Sequence, residues 1–253
     1  MKRIPIIVLT IALIVTAVHA TDNNTASPTN TVIAFYRALK EKHYVEGFRH
    51  SVYRAAVEGL SAKELQDLEP DFARTFSAIP EKIETRGEQI TGDTAVVFLK
   101  LEGIEQLQQV ALIRVDRQWL VGDQDSLGLV RAQGRNFFFN TRIIVNEGET
   151  HEMMLRIIGA EVIYSRKFEG RNATLQELIR LGGLPKDLEG LVTGGYRFVL
   201  TISADQKTFS ATATPVVYGK TGKLSFYADI NGVRAEDLKG GVATVRSPVY
   251  QPR

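Results

Sequence analysis

The stretch that decides the architecture is TRIIVNEGETHEMMLRIIGAEVIYSRKFEG, residues 141–170. Asn146 and Glu149 have the spacing of a helix N-terminus, and Gly170 would end the helix. Within it, one set of apolar side chains recurs with the 3.6-residue period of a helix face. The set comprises Met153, Ile157, Ala160, Tyr164 and Phe168. This stretch therefore predicts an amphipathic helix whose apolar face packs against another element.

The residues that follow predict a short helix and a small sheet. Thr174 and Glu177 form a capping-box pattern, which is typical of a helix start. Three strand-like runs then lie at 196–203, 208–215 and 223–229, with turn residues between them. A lone meander of three strands cannot bury its apolar face, so we expect the helix to lie across it.

The residues that precede this unit predict a separate α+β domain. Val32, Tyr36 and Leu39 begin an apolar helical stripe that extends to His43, and a capping box at Ser61 starts a later helix. Four strand-like runs follow, with turns at Gly92-Asp93 and Asp116-Arg117. These runs are 82–89, 94–102, 109–115 and 119–121. The fold class is thus α+β, with predicted domains at 31–125 and 141–253 and a linker at 126–140, where glycines and charges show no sustained period.

The first domain resembles the NTF2-like (SnoaL-like, cystatin-like cone) superfamily. The resemblance rests on AFYRALKEKHYVEGF, residues 34–48, and QVALIRVDRQWLVGD, residues 109–123. It implies a helix packed into a curved sheet, forming a cone whose mouth holds a small apolar ligand. The aromatic side chains that would orient such a ligand are Tyr36, His43, Tyr44 and Trp119. Core packing is the alternative for these four, and none has to be a catalytic base.

The second domain resembles the globular part of type IV pilin-like and type II secretion pseudopilin-like proteins. The carrying residues are 141–170 together with TLQELIRLGG (174–183), GGYRFVLTI (194–202) and ATATPVVYGKTGKLSFYADINGV (211–233). Pilins have a long apolar half-helix before this region, whereas this chain has the polar RNFFFNTR at 135–142. We therefore expect pilin-like packing without filament assembly.

The N-terminus has the three parts of a secretory signal. Lys2 and Arg3 precede an apolar run, and small residues near Ala20 favour cleavage there. Residues 1–20 are thus predicted to be a signal peptide and 21–30 a flexible tether, with an uncleaved membrane anchor as the alternative. The chain contains no cysteine, so disulfides and cysteine-linked lipids are excluded.

Net charge and the absence of common motifs exclude several classes of function but do not identify one. The 31 basic and 29 acidic residues leave a net charge of +2, and Lys2 and Arg3 account for that excess, which argues against nucleic-acid binding. His43, Glu46 and His50 are too few for a metal site, and phosphate-binding and nucleophile motifs are absent. We therefore expect no catalytic residue, metal or cofactor.

These features suggest an exported, periplasmic or secreted, non-enzymatic protein that binds a protein partner or captures a ligand. The alternative is a small-molecule binder or enzyme that uses the cone of the first domain. A filled cone with an exposed apolar patch would favour the interaction protein, and an open cavity with converging polar groups would favour the binder. The sequence leaves the oligomeric state open.

Overall fold

The structure is a computed structural model that describes residues 27–77, 79–80 and 82–252. The predicted signal peptide and most of the predicted tether lie outside these residues. The first four helices are α1 (Pro28–Lys40), α2 (Tyr44–Arg49), α3 (Arg54–Glu58) and α4 (Ala62–Thr75). Residues 28–30, predicted as tether, are instead the first turn of α1. Ser27 accepts a hydrogen bond from the Asn30 backbone N–H, and Pro28 favours the first helical position.

A four-stranded antiparallel sheet follows these helices, as predicted. Its strands are β1 (Ile83–Thr91), β2 (Thr94–Leu101), β3 (Gln108–Val115) and β4 (Gln118–Val121), paired in that order. Helix α1 lies against one face of the sheet, where Val32 packs with Val97 and Leu112. The helices form a second apolar cluster around Phe48 and Phe72. The capping box at α4 is present, and its hydrogen bonds lower the pKa of Glu64 to about 2.

The predicted linker at 126–140 is helical. Helix α5 (Gln124–Gln133) is capped by Asp123, and a short 3₁₀ turn leads into α6 (Phe137–Lys167). Leu127 packs against Val52 and Leu120 of the first half. These tertiary contacts stabilise the helix despite the low helix propensity of glycine. Helix α6 also begins before its predicted start, so Asn146 and Glu149 lie inside the helix.

The second half is built on α6. Helix α7 (Leu175–Arg180) follows with the predicted capping box. The sheet has five antiparallel strands, not three, in the order β5 (Val192–Thr193), β6 (Tyr196–Ile202), β7 (Phe209–Pro215), β8 (Ser225–Asp229) and β9 (Gly232–Glu236). Helix α6 lies across this sheet as predicted, with Ile157 and Ala160 of the predicted stripe buried against it. Met154 is buried where Met153 was predicted, and Phe168 is not part of the cluster. The described chain is thus an α+β fold of helices and antiparallel sheets.

Candidate functional site

Two of the four predicted ligand-orienting aromatics are core residues. The Trp119 side chain is buried with Val97 and Leu112, and the guanidinium of Arg114 lies 5.4 Å from the centre of its ring. Tyr44 is buried in the other apolar cluster, where its ring centre lies 5.6 Å from that of Phe72. The two rings therefore belong to separate parts of the core.

Tyr36 and His43 are less buried than Trp119 and Tyr44, and their surroundings differ. Tyr36 is half-buried against Phe35, contacts both apolar clusters, and has its pKa raised by burial. His43 lies beyond the end of α1, because the chain turns at Lys42 with a φ of 62°. Its imidazole is exposed and lies 3.5 Å from the Glu41 carboxylate. The predicted helical stripe thus ends before His43.

The structure does not bring these four residues together in one cavity. His43 and Tyr44 line a surface groove of about 540 Å³ between α2 and α4, and neither Tyr36 nor Trp119 contributes to it. Side chains of α1 and of the first sheet pack directly against one another and fill the space between the helix and the sheet. Among the residues that the structure describes, no three histidine or carboxylate side chains cluster as metal ligands.

An exposed apolar groove lies between α6 and α7 in the second half. Ile163 is 70% exposed and Leu181 is 51% exposed. Tyr164 and Phe168 stack beside them with ring centres 4.2 Å apart. We call this space of about 370 Å³ the α6–α7 groove. Its side chains present apolar surface to solvent, which is the usual property of a binding surface.

The rim of the α6–α7 groove is basic. Arg156 and Lys167 line it, and no acidic side chain does. The Lys167 ammonium lies 5.7 Å from the centre of the Phe168 ring, which places positive charge directly beside apolar surface. The floor is open at Gly159, where an added Cβ would meet no atom within 4 Å. The groove therefore combines an apolar floor with a basic rim.

Sequence reasoning missed this groove although the sequence contained a signal for it. Ile163 lies off the apolar stripe of α6, and Leu181 follows the last residue of α7. Large apolar residues outside a helix's packing face are candidates for exposure.

Part of the chain is similar in structure to a known protein. No protein-family model matches the chain, and no curated protein matches it. A crystal structure at 2.00 Å, described as an NTF2-like transpeptidase from Campylobacter jejuni, is similar to part of it. The identity is 17%, the match covers 38% of this chain and 97% of the other, and the TM-score is 0.26.

Proposed function

We propose that this chain is an exported, non-enzymatic protein-interaction module that binds its partner through the α6–α7 groove. In this proposal the first half is an NTF2-like domain and the second a pilin-like domain. The sequence of helices and a four-stranded meander supports the first assignment. The order of α6, α7 and an antiparallel sheet covered by α6 supports the second.

The exposure of Ile163 and Leu181 at the groove is the observation that carries the proposal. Burying apolar surface of this kind on a partner would favour association, because it removes that surface from water. The first half has the opposite character, because Val32 and Trp119 pack with the sheet in its interior. This combination of a filled interior and an exposed apolar patch supports an interaction protein over a small-molecule binder or enzyme that uses the cone.

The charge of the rim indicates the chemistry of the partner. Arg156 and Lys167 would attract carboxylates, and no acidic side chain of the described residues lines this groove, although Glu152 lines the neighbouring one with Arg156. A protein segment with apolar side chains on one face and glutamate or aspartate beside them matches both features. We therefore expect the partner to present an acidic amphipathic segment.

Two synthetic peptides test this expectation. Both form an amphipathic helix with leucine on one face, and the other face is glutamate in one peptide and lysine in its counterpart. We expect fluorescence anisotropy at low salt to show that the protein prefers the glutamate peptide by on the order of tenfold. A double variant, Arg156→Glu with Lys167→Glu, should reverse the preference.

Controls separate the groove from general surface charge. Lys186→Glu changes an exposed lysine outside the groove and should leave the preference intact. Leu181→Ala should weaken binding of both peptides, because it removes apolar contact from the groove. Equal affinity for the two peptides, or an unchanged preference in the double variant, would contradict the proposal.

Export is the other part of the proposal and rests on residues 1–20. We expect N-terminal sequencing of the protein from its source cells to give a start near Thr21. Met1 retained in a membrane pellet after a high-salt wash would favour the uncleaved anchor. Among residues 27–252, the structure contains no helix that is both long and apolar enough to cross a membrane.

A further inference from the structure

Helix α6 carries a buried carboxyl group with an unused oxygen. The Glu161 side chain is 0% exposed, and its Oε2 accepts a hydrogen bond of 3.0 Å from the Ala173 backbone N–H. Its Oε1 is buried and has no hydrogen-bond partner among the described residues. Leaving a buried acceptor unsatisfied destabilises a protein, so such a group calls for an explanation.

Glu147, on the same helix, shows how a buried carboxylate is usually satisfied. It is 7% exposed, and its Oε1 accepts hydrogen bonds from the backbone N–H groups of Lys223 and Leu224, at 3.0 and 3.1 Å. These bonds hold the loop before β8 against the helix. Both of these bonds reach one oxygen of Glu147, whereas Glu161 has one such bond and its other oxygen is buried without a hydrogen-bond partner among the described residues.

A groove of about 610 Å³ lies beside Glu161, and we call it the Glu161 groove. It opens between the C-terminal part of α6 and strands β6 to β8, with Phe209, Tyr227 and Ile230 on its wall. Its volume lies within the range of about 300–1,000 Å³ that is typical of small-molecule sites. A buried carboxyl group beside apolar surface is the usual combination in a site for an amine.

The other charged groups of the groove do not neutralise Glu161. The Lys207 ammonium is exposed and donates to the Glu169 carbonyl oxygen at 3.1 Å, and Arg166 is exposed to solvent. The Asp229 carboxylate accepts hydrogen bonds from the Asn231 backbone N–H and the Tyr227 hydroxyl. Because solvent screens exposed charges, the buried carboxyl group is the one that interacts most strongly with an incoming charge.

We infer that the Glu161 groove binds a small ligand that carries a primary ammonium group next to an apolar group. The ammonium would donate a hydrogen bond to Oε1 of Glu161 once the carboxyl group turns toward the groove, because this atom has no exposed surface in the structure. The apolar group would lie against Phe209 and Tyr227. Burial and, to a smaller extent, the nearby Glu177 carboxylate of α7 raise the pKa of Glu161 to about 7 against the Ala173 hydrogen bond, and an ammonium ligand would oppose that shift by stabilising the ionised carboxylate.

Isothermal titration calorimetry with 2-phenylethylammonium and its uncharged counterpart 2-phenylethanol tests this inference. We expect the protein to bind the ammonium compound at least tenfold more tightly at pH 8, because the carboxylate is then ionised. Glu161→Gln should abolish this discrimination. Glu152→Gln, an exposed residue of the same helix outside the groove, should retain it.

The pH dependence of the unaltered protein provides a second measurement that does not require the variant to fold. Binding of 2-phenylethylammonium should be several-fold weaker at pH 5 than at pH 8, because Glu161 is then protonated. Absence of binding, equal affinity for the alcohol, or equal affinity at both pH values would overturn the inference. A folded Glu161→Gln protein that still discriminates would do the same.

Discussion

The two ends of α6 are held differently, by ion pairs together with an aromatic contact near its start and by apolar burial further along. Near its start, Arg142 donates from Nε to Asp71 at 2.6 Å and from Nη1 to Asp67 at 3.2 Å. Further along, Ile157 and Met154 are buried in the apolar cluster against the second sheet. The Arg142 side chain is only 9% exposed, so its ion pairs are partly withdrawn from solvent, while burial of apolar side chains contributes most of the stability. The comparison indicates that the later part of α6 determines the stability of the second half, and the start of α6 fixes its position on the first.

The largest expected effect comes from Ile157→Asp. Ile157 is 1% exposed, so the variant would place an unpaired carboxylate in the apolar cluster. We expect the free energy of unfolding to fall by about 3–5 kcal/mol, enough to unfold a small domain. Circular dichroism during urea titration measures the loss. Ile163→Asp, 70% exposed on the same helix, is the control and should change stability by about 0.5 kcal/mol or less.

The aromatic contact at the start of α6 should have a smaller effect. The half-buried Phe138 ring lies 5.0 Å from Phe48 and 4.9 Å from Phe72, measured between ring centres. We expect Phe138→Ala to lower the free energy of unfolding by about 2–3 kcal/mol, less than for a fully buried phenylalanine. Ile144→Ala, at a site 60% exposed on the same stretch, is the matched control. Equal losses in the two variants would mean that the aromatic contact does not anchor the helix.

The same contact bears on whether the two halves fold separately. We predict from the sequence that residues 28–125 and 136–253 fold as independent fragments and that a protease cuts within 123–135. In the structure, the second fragment would carry Phe138 away from its partners and expose it. Limited proteolysis of Phe138→Ala should therefore cut this stretch faster than in the unaltered protein, since losing the contact loosens the connection.

Glu161 makes the stability of the second half depend on pH. Its pKa is raised from 4.5 to about 7, so the folded state favours the protonated form. The stabilisation is complete below about pH 4.5 and is lost as the pH rises through 7, because ionisation in the folded state is costly. In the unaltered protein the free energy of unfolding should fall by about 1–3 kcal/mol between pH 4.5 and 8. Urea titrations should show that this decrease is absent in Glu161→Gln. An equal pH slope in both proteins would contradict the assignment to Glu161.

Sequence patterns predicted the elements whose signals are local. The capping boxes at Ser61 and Thr174 and the strands of the first sheet depend on neighbouring residues, and all are present. The path from α5 into α6 was not predicted, because its helicity depends on contacts between residues far apart, such as Phe138 with Phe48. The sequence left a core role and a ligand role open for Trp119, and the structure buries it in the core. The two grooves were missed for the same reason, since each forms only when α6 meets another element.

The smallest expected effect concerns two glycines within α6, Gly148 and Gly159. Glycine destabilises a helix interior relative to alanine by about 0.5–1 kcal/mol, because its backbone loses more freedom on folding. An added Cβ at either position would meet no atom within 4 Å, so alanine is accommodated without strain. We expect Gly148→Ala and Gly159→Ala each to raise the free energy of unfolding by up to about 1 kcal/mol in urea titrations.

Gly183→Ala is the contrasting variant. Its Cβ would lie 3.3 Å from the Leu178 carbonyl oxygen, so this substitution should not raise the free energy of unfolding. If only Gly159→Ala stabilises the protein, the later part of α6 alone limits its stability, whereas equal gains would mean that the whole helix unfolds as one unit.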